Sequence, residues 1–257
     1  MLEVMLSNAE RNHNFFKIFL IGFILTLGIG FVNSFLGSIS IFLVAFISLA
    51  LSYPITKYLR EIEKINPDKI LDKSFFKRYE SEIGVFWALF VGVVIGMYLL
   101  NLFSLTTDFS YEESFVSSLK GQISEFNSNL FINILSNNLF VAFNTFIIST
   151  LFFSGLIFVI VWNASILAYY LYSLNSHSNA LITGLNVFVH ALLEIGGYVW
   201  AGLLGAILSY RLSIYFLGYG GFSNTNRKKV LNKTFALDCL ILLFLSVGFI
   251  FLGAVVE

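Results

Sequence analysis

Apolar residues fall into seven runs along the chain, each about the twenty residues needed to cross a hydrocarbon core. They lie near 15–36, 38–59, 83–105, 130–153, 155–174, 182–209 and 236–256. None shows the strict alternation of a half-buried strand, and most are apolar on every face, as spanning helices are. The pattern predicts an all-α polytopic bundle of about seven spans, or six if the middle is divided differently. The very short "LGSIS" turn makes 15–59 a helical hairpin, and Pro54 falls where it could kink the second helix. The segment 182–209 would measure about 42 Å as one helix, so it tilts or breaks near Gly196-Gly197. Both options stand at this point.

Composition agrees. The 257 residues are 58% hydrophobic and 12% charged, with a mean hydropathy of +0.85. Soluble domains are nearer half apolar and a quarter charged. The first apolar run is longer than a signal-peptide core and lacks a small-x-small cleavage site, so it reads as a retained span. The single cysteine, Cys239, allows no disulfide within the chain. Nothing marks a second domain, and 1–257 reads as one integral membrane domain whose first partner is the bilayer.

Charge supplies the orientation. With a cytoplasmic N-terminus, alternation of seven spans puts the loops 60–82 and 210–235 inside. Fourteen of the fifteen Lys and Arg residues then lie on or at the inner side, and only Lys120 lies outside. The inner loop 60–82 reads as a short solvated helical segment. The outer segment 106–129 carries Asp108, Glu112, Glu113 and Glu125, with Phe115, Leu119, Ile123 and Phe126 on one helical face. It reads as an amphipathic helix on the outer surface, capping the bundle or docking a partner. A formal net charge of +0 gives no general pull toward nucleic acid.

From Phe126 to Tyr210 the only formally charged residue is Glu194. Asn186, His190 and Glu194 recur at four-residue steps, so they share one helix face. Gly197, Ala201 and Gly205 continue that face offset by one position, with Gly202 beside them. Small faces let helices approach closely, and polar side chains hydrogen-bond across such contacts, so this face points into the bundle. An ionised acid at mid-span costs about 2.5–3.5 kcal/mol on insertion scales. Neutralising a Glu at pH 7 costs roughly 3.7 kcal/mol. The two are comparable, and His190 decides between an ion pair and a shared neutral hydrogen bond. The pair serves as a lock between helices, as a site for an ion, proton or ligand, or, more remotely, in catalysis.

A zinc protease would need a second imidazole, which "HALLE" lacks. No nucleophile elbow, P-loop or dinucleotide fingerprint is present, which argues against an enzyme and against a cofactor. Asn137, Asn138, Asn144 and Asn163 are further amides in or at spans, each needing partners away from water. The sequon at Asn163 lies within a span and is discounted.

Four motifs in order carry a resemblance: "SNN" with Asn137 and Asn138, Gly155, "WNAS" with Trp162, Asn163, Ala164 and Ser165, then His190, Glu194, Ala201, Gly202 and Gly205. Together they resemble the stage II sporulation protein M family, most strongly over the core 130–210. The opening hairpin and the last span, 236–256, are similar to archaeal members. Ala191, Leu193 and Ala168 stand where the family commonly has Gly, Pro and Gly, which makes these helices more regular here. The resemblance implies a multi-pass protein of the cell membrane without catalytic activity or cofactor. It further implies a scaffold or assembly factor for a membrane or envelope complex, with other membrane proteins as partners and homo-oligomers possible. In spore-formers such proteins work in engulfment with peptidoglycan-degrading partners. The rival expectation is a transporter or channel-like protein using Asn186, His190 and Glu194 as a polar path. No internal repeat of the kind common in transporters is evident.

Overall fold

The computed structural model describes residues 15–36, 40–64, 75–103, 128–152, 155–174, 180–217 and 233–256. They form helices α1 (Phe15–Leu36), α2 (Ser40–Lys64), α3 (Phe75–Leu102), α4 (Ser128–Leu151), α5 (Gly155–Ser173), α6 (Ala180–Leu217) and α7 (Lys233–Val256), with no strand among the described residues. Six of them are long and apolar enough to cross a membrane, and α2 adds a shorter apolar stretch, Ile41–Tyr53. The chain is an all-α, multi-pass membrane bundle of about seven spans. Backbone groups in lipid must be satisfied within the segment, which is why unbroken helices are the form these runs take.

Three boundaries differ from the hydropathy reading. Helix α2 continues to Lys64 and α3 begins at Phe75, so both advance into the segment read as the loop 60–82. Residues such as Glu61, Glu63 and Lys64 are good helix formers. Helix α2 is also continuous through Pro54.

Helix α6 is one 38-residue element, unbroken at Gly196-Gly197. It is about 57 Å long at the standard rise, so it exceeds the hydrocarbon core and must tilt or project. Isolated glycines weaken a helix by about 1 kcal/mol each, too little to interrupt one packed on several sides. The outer segment 106–127 lies outside the described residues, as do His13 and His177.

The centre is built where α3 packs on α1 and α5, and where α6 packs on α4, α5 and α7. Phe86, Leu89, Phe90, Met97 and Leu100 of α3 are buried there with Leu156, Ile157 and Ile160 of α5 and Leu43, Ile47 and Leu51 of α2. Large apolar side chains also cover the outside, among them Phe35, Leu49, Phe140 and Phe244. Lipid tails solvate those faces as well as Leu solvates Leu, so burial alone does not hold this bundle together. Close backbone approach, between α1 and α3 at Gly92 and again along α6, carries more of the load together with internal polar bonds.

Candidate functional site

The His190–Glu194 face of α6 looks onto α4 and α7. His190 Nδ1 lies 3.1 Å from the carbonyl oxygen of Gly253 on α7. That oxygen only accepts, so Nδ1 carries the hydrogen and donates it. The other ring nitrogen, Nε2, lies 3.3 Å from Glu194 Oε1. On the far side, Asn138 of α4 donates its Nδ2 to the same Oε1. The amide is held in that sense by Tyr198, whose hydroxyl donates to Asn138 Oδ1 at 2.9 Å. One chain of bonds therefore runs from Tyr198 through Asn138, Glu194 and His190 to the α7 backbone.

This arrangement sets the proton inventory. With Nδ1 committed to Gly253, a neutral imidazole would turn a bare lone pair toward Glu194. An ionised carboxylate there would face it lone pair to lone pair. A hydrogen bond between Nε2 and Oε1 requires a proton on one of the two atoms, which makes the pair an imidazolium with a carboxylate or an imidazole with a carboxylic acid. Both forms carry no net charge, which suits a site among apolar helices.

Small residues bring the helices close enough for these bonds. A Cβ on Gly253 would sit 3.1 Å from Glu194 Cγ. At Gly197 it would meet Ile250 Cγ1 at 2.4 Å, and the Gly197 carbonyl accepts from Ser246 Oγ at 2.9 Å. At Gly205 it would fall 2.4 Å from the carbonyl oxygen of Phe146 on α4. Gly202 instead faces Leu156 of α5, and Ala201 is buried. The run from Gly197 to Gly205 thus admits α7, α5 and α4 in turn, where the sequence pattern suggested one neighbour along one face.

The other candidate residues divide. Asn138 is buried in the network, whereas its neighbour Asn137 is exposed and reaches Asn138 Oδ1 only at 3.5 Å. Trp162 stacks on Phe158, Asn163 donates to the Val159 carbonyl at 2.8 Å, and Ser165 donates to the Trp162 carbonyl at 2.8 Å. Those bonds stay on α5 and do not reach the His190–Glu194 pair. Asn186 sits on α6 one turn before His190, and its side chain lies outside the described part of the structure.

Tyr198, Ser246 and Gly253 were not singled out by the sequence. Nor was a second polar cluster at the opposite end of the α6–α7 contact. There the Tyr79 hydroxyl donates to buried Asp238 Oδ2 at 2.9 Å, and the Arg211 guanidinium lies 5.4 Å from the Phe235 ring. Glu82, also buried, lies one turn beyond Tyr79 on α3. An acid alone in an apolar run, as Asp238 is, was the available signal. Among the described residues no three of His, Cys, Asp and Glu lie together as a metal site would require.

The family model for stage II sporulation protein M matches residues 85–257, more than half of the chain. The chain belongs to the stage II sporulation protein M family. No curated protein and no solved structure matches it. The stage II sporulation protein M region begins within α3 and takes in α4 to α7, which supply every member of the His190–Glu194 network. The α1–α2 hairpin precedes it.

Proposed function

We propose that the protein is a non-catalytic scaffold or assembly factor of the cell membrane, which organises other membrane or envelope proteins around a rigid bundle. The observation that carries this reading is the mutual satisfaction of the polar groups around the His190–Glu194 pair. Tyr198, Asn138, Glu194, His190 and the Gly253 carbonyl use one another, tying α4, α6 and α7 together. A conducting path needs polar groups that can exchange partners with a passing ion.

The stretch toward the second cluster favours the same reading. Glu194 and Arg211 are seventeen positions apart on α6, about 25 Å at the helical rise. Between them the α6–α7 contact is filled by Gly197 on Ile250, Trp200 edge-on to Phe249 at 6.4 Å, and buried Leu204 and Leu242. The Ser246 hydroxyl in this contact is spent on a backbone carbonyl. The outward faces, rich in Phe and Leu, remain for lipid and partner proteins.

The transporter reading draws on one observation, the 16% and 17% side-chain exposure of His190 and Glu194. Proteoliposomes separate the two. The scaffold reading expects no proton or cation flux from wild type above that of empty vesicles, and recovery of specific membrane proteins after crosslinking in cells and purification in mild detergent. A flux abolished by Glu194→Gln in a normally folded variant would replace the scaffold by the transporter.

A further inference from the structure

The least buried of the six long apolar helices is also the least apolar. Lipid exposure alone would give the reverse. Helices α1 and α7 have 28% of their span windows buried and are much more apolar than α4, which has only 17% buried. The polar residues of α4 are not all turned inward. Asn138, Thr145 and Ser149 are buried, but Asn133, Ser136 and Asn137 are exposed and Asn144 is partly exposed. Lipid tails offer an amide neither donor nor acceptor, so such a face calls for a polar partner within the membrane.

The outward positions have an order. Asn133, Asn137, Phe140, Asn144, Ile147 and Leu151 succeed one another at steps of four and three, the spacing of a coiled-coil seam. Phe140 and Leu151 on this seam are 66% and 69% exposed. Asn144 donates one amide hydrogen to the Phe140 carbonyl at 2.8 Å, which leaves its second hydrogen and its oxygen for another chain. Among the described residues Asn137 makes only the 3.5 Å contact with Asn138, too long to count for much.

We propose that this seam pairs with the same seam of a second copy of this chain, the two α4 helices running parallel about a two-fold axis normal to the membrane. All copies insert with one orientation, so two α4 helices meeting through the seam run parallel and each residue faces its own counterpart. Asn is suited to that encounter because it both donates and accepts, so Asn137 opposite Asn137 and Asn144 opposite Asn144 satisfy each other. The seam bears no acid or base that would select a chain of opposite charge. Its 4-3 spacing matches the shallow crossing, about +20°, common to membrane helix pairs. This pairing stands independently of the scaffold reading.

Oxidative crosslinking in native membranes tests it, with full-length protein in a Cys239→Ser background. Asn133→Cys and Asn137→Cys should give a disulfide-linked product of two copies, identified by mass spectrometry. Phe244→Cys, on the 78% exposed side chain of α7, should give at least tenfold less. Asn137→Leu combined with Asn144→Leu should turn the dimer seen by light scattering in lipid nanodiscs into monomer, with the unfolding midpoint of the chain unchanged. Equal crosslinking at 137 and 244, a product containing a different protein, or a monomeric wild type in nanodiscs would each overturn the proposal.

Discussion

The Tyr198 hydroxyl donates to Asn138 Oδ1 at 2.9 Å and thereby decides which end of that amide meets Glu194. An oxygen turned toward Oε1 would oppose two acceptors; the nitrogen bonds it. Tyr198 is thus a positioning residue for the acid, one turn further along α6, acting through another helix.

Tyr198→Phe keeps the ring and removes the hydroxyl. It should lower stability in detergent by about 1 kcal/mol, the usual net worth of one hydrogen bond. Asn138→Leu removes the bonds to both Glu194 and the Tyr198 hydroxyl, so it should cost more, about 1–3 kcal/mol. Chemical denaturation followed by tryptophan fluorescence checks both, and an Asn138→Leu variant as stable as wild type would contradict the network.

Two glycines make a matched pair. A methyl group at Gly205 would lie 2.4 Å from a backbone oxygen of α4, whereas one at Gly248 would meet nothing within 4 Å. Gly205→Ala should therefore destabilise the fold by about 1–3 kcal/mol through overpacking. Gly248→Ala should be neutral or stabilise by up to about 1 kcal/mol through helix propensity. Thermal unfolding of the two purified variants side by side gives the comparison, and equal midpoints would remove the close α4–α6 contact.

The orientation rests on the fourteen basic residues gathered on one side. Single cysteines at Lys69 and Arg227, in a Cys239→Ser background, should resist a membrane-impermeant thiol reagent in intact cells, and one at Glu113 should label. Labelling at position 227 from outside would mean that the spans between Phe126 and Tyr210 are miscounted.

The helices were legible in the sequence because lipid imposes one secondary structure on any long apolar run. The shared face of His190 and Glu194 was legible too, since helical periodicity fixes it before any partner is known. Their partners were not. Which of Asn137 and Asn138 turns inward depends on how α4 is rotated against α6, and 100° of helix separates neighbours. Gly253 contributes a carbonyl, which no side-chain motif records. Asp238 is an acid in an apolar run like Glu194, but no polar residue stands three or four positions from it within the last span, and its partner Tyr79 is 159 residues away in sequence. The ends of α2, α3 and α6 ran longer than hydropathy suggested, since a helix does not stop where the lipid does.

The double-alanine cycle at the His190–Glu194 pair tests the central claim, that this pair is a lock between helices, most directly. Glu194→Gln should be milder than Glu194→Ala, because an amide oxygen in the place of Oε1 still accepts from Asn138, although it cannot donate to Nε2 of His190. His190→Ala and Glu194→Ala should each destabilise the protein by about 1–3 kcal/mol, since each takes the bond between Nε2 and Oε1 from a half-buried partner. The account predicts that the double variant costs less than the two single losses added together. Additive losses would contradict it, because two groups that do not share a proton have nothing to lose together.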